Sequence, residues 1–303
     1  MTGQEPQPDI AEDGLADSSN KEYIMANANI GTTLVLGASG KTGRRIVQRL
    51  QALGVPVRSG SRAATPSFDW HNESGWDACL NGVSRVYINY APDLAMPGAT
   101  DAIASLVAKA RRAGVKKLVL LSGRGEQEAQ ACEQIVAAGG IDWTVVRASW
   151  FNQNFSEGAF IDMVLAGKIT LPASQTAEPY VDADDIAEVA VAALTEEGHN
   201  GKIYEVTGPR LMTLEEVAAE LSRACGRTVT YVPVPHAAFI EGLKQSGAPD
   251  DVVWMLDYLF ATVLDGRNAH LTDGVARALG RAPKDFSEYA REVAASGRWR
   301  RAA

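Results

Sequence analysis

The chain has 303 residues, 37 acidic against 29 basic, a formal charge of −8, and ordinary hydrophobic (46%) and charged (22%) shares. An acidic chain with no basic run is not built for nucleic acid or an anionic membrane surface, and no apolar stretch reaches the length of a transmembrane helix. Its cysteines, Cys79, Cys132 and Cys225, are far apart and lack metal-ligand spacing; they predict free thiols, no metal site and a reducing, cytoplasmic setting.

Residues 1–28 are polar and acidic, with Asp9, Glu12, Asp13 and Asp17, and carry no apolar segment. They predict a disordered tail rather than a signal peptide, and Met25 is an alternative start. Residues 32–43 then read Thr-Thr-Leu-Val-Leu-Gly-Ala-Ser-Gly-Lys-Thr-Gly. The apolar run Leu34-Val35-Leu36 predicts a strand, the glycines a tight turn, and Ile46, Val47 and Leu50 a helix over 41–53. In a dinucleotide-binding turn the three glycines have separate jobs. Gly37 makes the sharp bend, Gly40 lets the backbone approach a pyrophosphate, and Gly43 packs the helix close to the strand. The helix N-terminus then offers unpaired N–H groups to the phosphates. The motif makes Gly37, Ser39, Gly40, Lys41, Thr42 and Gly43 cofactor-binding candidates.

A second strand is expected over 55–58. In dinucleotide folds an acid about 20 residues past the glycines holds a ribose 2′-hydroxyl, whereas an arginine suits a 2′-phosphate. Here the residues are Ser59-Gly60-Ser61-Arg62, with no acid. A guanidinium grips phosphate through paired hydrogen bonds, so Arg62 predicts NADP(H) in preference to NAD(H); the alternative for Arg62 is a solvated loop charge. Residues 67–70 predict a short third strand, and Asp69 and Trp70 a loop over the adenine. Trp76, Cys79 and Leu80 mark a helical turn, 86–88 a fourth strand, and Asn89-Tyr90-Ala91-Pro92 its closing loop. Tyr90 and Ala91 thus lie where open α/β sheets bind ligands.

A helix over 100–113 and a fifth strand over 117–121 lead to Ser122-Gly123-Arg124-Gly125. Ser122 either hydrogen-bonds a substrate or nicotinamide heteroatom or caps the next helix, 126–138. After a sixth strand, 143–147, comes Ala148-Ser149-Trp150-Phe151-Asn152-Gln153-Asn154-Phe155. Its rings and amides suit a flat organic ligand, or else seal the sheet edge. Trp150, Phe151, Asn152 and Asn154 are the substrate-binding candidates. Further strands are expected over 169–171, 179–181, 202–206 and 228–232. Asp182, Asp184 and Asp185 open a helix whose dipole they favour. Thr213 and Glu216 form a capping box. From Pro235 on the pattern is helical, with Trp254, Leu256, Tyr258, Leu259 and Phe260 as an apolar face over the cleft or as helix-packing core.

The alternation of strands and helices gives an α/β fold: a Rossmann-type doubly wound parallel sheet with a small C-terminal α/β substrate-binding part. The expected division is a nucleotide-binding core over 29–155 and a substrate-binding part over 156–303, interleaved with the core's last strands.

From Thr32 to about Trp299 the chain resembles the NmrA-like branch of the atypical short-chain dehydrogenase/reductases, within it the festuclavine dehydrogenase and NAD(P)H azoreductase-like group. The resemblance rests on Gly37-Ala-Ser-Gly-Lys-Thr-Gly43, Ser67-Phe-Asp-Trp70, Tyr90-Ala-Pro92, Leu121-Ser-Gly123, Asp142-Trp-Thr-Val-Val-Arg147, Trp150-Phe-Asn-Gln-Asn154 and Val181-Asp-Ala-Asp-Asp185. It implies a nicotinamide cofactor and, in the festuclavine group, reduction of an iminium C=N bond. The wider superfamily's Tyr-x-x-x-Lys pair is missing, since none of the eight tyrosines has lysine four residues on. An iminium needs only hydride, and quinones and enones can be protonated later by water or a side chain such as Ser122. The expected function is therefore an NADPH-dependent reductase of a small flat acceptor, in secondary metabolism, with Ser122, Tyr90 and Asn152 as catalytic candidates and Gly123 at the cofactor. A redox sensor acting on a partner protein and a non-redox cyclase or isomerase are the alternatives. A monomer or homodimer is expected.

Overall fold

The computed structural model describes residues 30–158, 160–172 and 175–300; the acidic tail and Met25 lie outside the described residues. Strand β1 (Thr32–Leu36) runs into the glycine turn and helix α1 (Lys41–Ala52). Ile46 and Leu50, one turn apart on α1, are completely buried, each stabilising the fold by about 1.5–3 kcal/mol. Gly54, at φ 73°, closes the helix. β2 (Val57–Gly60) starts two residues later than the sequence suggests. Pro56 has no N–H to give the ladder, and only its carbonyl takes part, accepting from Thr33 at 2.8 Å.

The expected strand at 67–70 is absent. The segment is a loop entered through a cis Thr65–Pro66 bond, tied back by Phe68 N–H to Ser61 O at 3.0 Å. Its rings pack instead of pairing: Phe68 stacks on Trp76 at 5.2 Å, and Trp70 meets Tyr90 at 4.8 Å. The chain continues through α2 (Trp76–Leu80), β3 (Val83–Ile88), α3 (Ala99–Arg112), β4 (Lys117–Gly123), α4 (Gln127–Ala137) and β5 (Asp142–Ala148). Then come α5 (Asn154–Glu157), α6 (Ile161–Ala166), β6 (Lys168–Leu171), α7 (Ala183–Thr195), β7 (Lys202–Val206), α8 (Leu214–Cys225) and β8 (Thr230–Pro233). Residues 179–181 form no strand; Val181 makes a single bridge to Phe151. The chain closes with α9 (His236–Gln245), α10 (Asp250–Tyr258), a π-helical turn (Leu259–Val263), α11 (Gly274–Leu279) and α12 (Phe286–Ala295).

Six strands make one parallel sheet in the order β2-β1-β3-β4-β5-β7, and β6 and β8 pair separately. Strand alternation sorts the side chains into two cores. Leu34, Leu36, Val86, Ile88, Leu118 and Leu120 face α3 and α4. Val35, Tyr87, Val119 and Val146 face α1 and α7. A third cluster, with Phe155, Tyr180, Met212, Leu214, Phe286 and Trp299, joins the C-terminal elements. The Thr213–Glu216 capping box starts α8, and Asp182 caps α7 by accepting from Asp184 N–H. Cys79 and Cys132 are buried free thiols, and Cys225 is half-buried. No helix among the described residues is long and apolar enough to cross a membrane.

Candidate functional site

Between β1 and β3 the order of strands reverses, the position at which open parallel sheets bind ligands beyond their carboxyl ends. A cavity of about 300 Å³ opens there. Its wall draws on Lys41 from the glycine turn, Asn89, Tyr90 and Asp93 after β3, Ser122, Gly123 and Glu126 at the end of β4, and Trp150, Phe151 and Asn154 after β5.

The glycine turn forms an open cradle at the start of α1. Gly37 sits at φ 67°, and a Cβ there would come within 2.8 Å of the Asn89 amide nitrogen. A Cβ on Gly43 would stand 2.1 Å from Gly37 O, so α1 can approach β1 only without a side chain. The N-cap residue, Gly40, supplies no side-chain cap, and the first turn contains no acid. The N–H groups of Lys41, Thr42 and Gly43 are thereby left for an anion. This uncapped, unfilled helix end fits a pyrophosphate. Thr42 would contribute only its backbone: its side chain is 1% exposed and its hydroxyl accepts from Tyr87 at 2.9 Å. Burial pulls the Lys41 ammonium below its ordinary pKa, partly offset by Glu157. Ser39 is exposed on the turn.

Arg62 is exposed beyond β2, and its guanidinium has no protein partner among the described residues. Arg58 differs: its guanidinium donates to Cys79 O and Asn81 O, both at 2.7 Å. Asp69 and Trp70 are committed locally. Asp69 O accepts from the Trp76 indole at 2.8 Å, and the Trp70 indole donates to Asn89 O at 3.1 Å, bracing the Tyr90 loop. Ala91 precedes a cis bond to Pro92 at the mouth. Burial raises the Tyr90 hydroxyl above its ordinary pKa.

Ser122 lines the cavity but its proton is spoken for: the hydroxyl donates to Glu133 Oε1 at 2.6 Å. Glu133, 4% exposed, is gripped in turn by Arg147, whose other nitrogen reaches Glu205 at 2.8 Å. Ser122 can thus accept from a ligand but is a poor donor. Asn152 is misplaced by sequence reasoning. It is wholly buried, its N–H bonds Val181 O at 2.8 Å, its amide finds no partner, and it is not on the cavity wall. The turn after β5 brings Trp150, Phe151 and Asn154 to the wall instead. Trp150 is braced by Phe160 and Phe260. From the C-terminal face, Met255, Leu256 and Leu259 reach the wall. Trp254 is 38% exposed and stacks on Tyr258 at 5.5 Å outside it.

The polar residues that sequence reasoning passed over are Asn89, Asp93, Arg124, Glu126 and Asn268. Asp93 and Glu126 had a usable signal: each is a charge just past the carboxyl end of a central strand. Arg124 and Asn268 meet across 144 residues, at 3.3 Å, with no local signal. Among the described residues, no group of three or more His, Cys, Asp or Glu could hold a metal ion.

Residues 30–290 match the model of the NmrA-like family. The chain is 31% identical over 284 residues to the NAD(P)H azoreductase of Xenophilus azovorans, covering 87% of this chain and 98% of the relative. It is 31% identical to a festuclavine dehydrogenase of Aspergillus fumigatus over 89% and 99% of the two chains. Among solved structures it superposes on the Citrobacter sp. triphenylmethane reductase complexed with NADP(H), with TM-score 0.69, 21% identity and coverage of 86% and 99%. The same fold carries a negative transcriptional regulator in complex with NAD, TM-score 0.65 at 18% identity over 88% and 96%. With its sheet order, glycine cradle and a match over most of its length, this chain belongs to the NmrA-like family.

Proposed function

We propose that the protein is an NADPH-dependent reductase of a small, flat organic acceptor such as a quinone, enone or iminium, working by direct hydride transfer without a tyrosine–lysine pair. The observation that carries this reading is a shared wall: Lys41 of the phosphate cradle lines the same cavity as Tyr90, Trp150 and Phe151. A dinucleotide held by Gly37, Gly40 and the amides at the start of α1 supplies hydride there. Arg62, exposed past β2, receives the 2′-phosphate. The chain's own part is placement: Trp150 and Phe151 wall the acceptor, Tyr90 and Asn154 orient its heteroatoms, and Met255, Leu256 and Leu259 exclude water. Full-length relatives named as reductase and dehydrogenase support the redox reading, and the clavine enzyme among them a role in secondary metabolism.

Fluorescence titration with NADPH and NADH, for wild type and Arg62→Ala, tests the cofactor half. Wild type prefers NADPH, and the variant loses at least about tenfold of that preference, the worth of one charge-assisted contact. An unchanged ratio removes Arg62 from the site. Transfer of label from deuterated NADPH to an acceptor panel tests the rest. The regulator of like fold keeps a second reading alive: a redox sensor, which a partner complex responding to the NADP⁺/NADPH ratio, with no acceptor turned over, would favour.

A further inference from the structure

Two carboxyls in the cavity have no part in the reading so far. Asp93 follows the Tyr90 loop, and Glu126 stands before α4; both line the wall. Glu126 is 5% exposed, and its Oε2 has no hydrogen-bond partner among the described residues. Its carboxyl lies against Gly123, where a Cβ would come within 2.2 Å of Oε1. Asp93 and Glu126 share that wall, close enough that each carboxyl acts on the other. Two buried carboxylates side by side repel, which favours one proton on the pair. Asp93 Oδ1 already accepts Ala95 N–H at 2.8 Å, which marks Asp93 as the ionised member and Glu126 as the acid.

The surroundings keep it so. Burial, then Asp93, then Glu128 and Glu133, hold the Glu126 carboxyl well above the usual carboxylate range. The Cys132 thiol lies near enough to feel the charge of Asp93, the Tyr258 hydroxyl donates to Glu128 at 2.7 Å, and Arg124 and Lys41 sit on the same wall.

We propose that Glu126, sharing a proton with Asp93, is the proton donor of this reductase, and that its acceptors are neutral C=O, conjugated C=C or N=N compounds. The proposal rests on the reductase reading above. The acceptor gains hydride from NADPH at one end of its double bond. The π pair moves to the other end, and that atom forms its new bond to hydrogen as the Glu126 O–H bond breaks. The pair is left doubly ionised, a costly state, and recovers one proton from water. The tyrosine–lysine pair has no role to fill.

Infrared titration of the protein alone, taken as the difference between wild type and Glu126→Gln because Glu178 also stays partly un-ionised near pH 7, shows an un-ionised carboxyl band at pH 7 that belongs to Glu126. With NADPH, Glu126→Gln loses at least about 100-fold in kcat/KM on a neutral quinone or azo acceptor, and at least about tenfold less on a cationic dye, which needs no proton. Asp93→Asn, by removing the neighbouring charge, moves the alkaline limb of the pH profile downward, and this arm serves if Glu126→Gln fails to fold. Absence of the band, or equal losses on neutral and cationic acceptors, overturns the proton-donor role while leaving the reductase reading intact. A band present in a protein that reduces nothing removes the reductase reading, and the donor role with it.

Discussion

A single methyl group placed at two different glycines should act in opposite directions. At Gly43 a Cβ would stand 2.1 Å from Gly37 O, 2.7 Å from Gly37 C and 3.0 Å from Ala38 Cα. All three are backbone atoms of the turn, so no side chain can swing aside. Restoring contact at about 3.5 Å requires α1 to lift from the turn by about 1 Å or more. Overpacking of this kind costs about 1–3 kcal/mol, which in a chain this size lowers Tm by roughly 2–5 °C. The same lift carries the amides of Lys41, Thr42 and Gly43 off a bound phosphate. Losing one charge-assisted hydrogen bond, about 1.5–3 kcal/mol, weakens NADPH binding about 10- to 100-fold. Gly242 is the control: exposed, inside α9, without positive φ and with nothing within 4 Å of a built Cβ. Gly242→Ala should add about 0.5–1 kcal/mol by restricting the unfolded chain. Thermal denaturation and a fluorescence titration of both variants measure this. If Gly43→Ala binds NADPH within about threefold of wild type with Tm unmoved, the cradle argument is wrong.

Ser122→Ala should cost only about fivefold in kcat/KM, the worth of one ordinary hydrogen bond, because its proton already belongs to Glu133; a loss of about 100-fold would return the hydroxyl to the role of proton donor. Glu178 is wholly buried, and burial, only partly offset by Arg124, lifts its carboxyl to about 7 from 4.5. Between those values the folded protein holds a proton the unfolded chain has released. Stability therefore falls as pH rises from about 4.5 to 7, by about 3 kcal/mol at most. Asp182, raised to about 6, slopes the same way. Glu178→Gln should flatten the Tm-versus-pH curve over that window and raise Tm at pH 8, as differential scanning calorimetry across pH 5–8 can check; a slope equal to that of wild type refutes it.

The local features read cleanly from the chain because their causes are local. The glycine turn, α1 and the Thr213–Glu216 capping box follow from residues within a few positions of one another. The strand expected at 67–70 misled because aromatic residues serve a ladder and a ring cluster equally well. Here Trp76 and Tyr90, neither adjacent in sequence, claim Phe68 and Trp70. Asn152 misled for a related reason. Its amide looks like a ligand group, but the turn after β5 rotates it into the core and sends Trp150 and Phe151 to the cavity. The Asp93–Glu126 contact joins two loops separated by a helix and a strand, which periodicity does not register.

Helix α7 is buried along nearly its whole length, between the sheet with α1 on one side and α11 on the other. Strand β7, from residues 202–206, completes the sheet beside β5, and Gly274 at the start of α11 would bring a Cβ within 2.0 Å of Glu205 O. The half of the chain that holds the glycine turn thus finishes its core with residues that follow Trp150 and Phe151 in the chain. A fragment cut at 155 would leave the sheet's second face covered only by α1. Changes in acceptor preference must accordingly be gained by point substitution within one folding unit, since the two halves cannot be exchanged as separate modules.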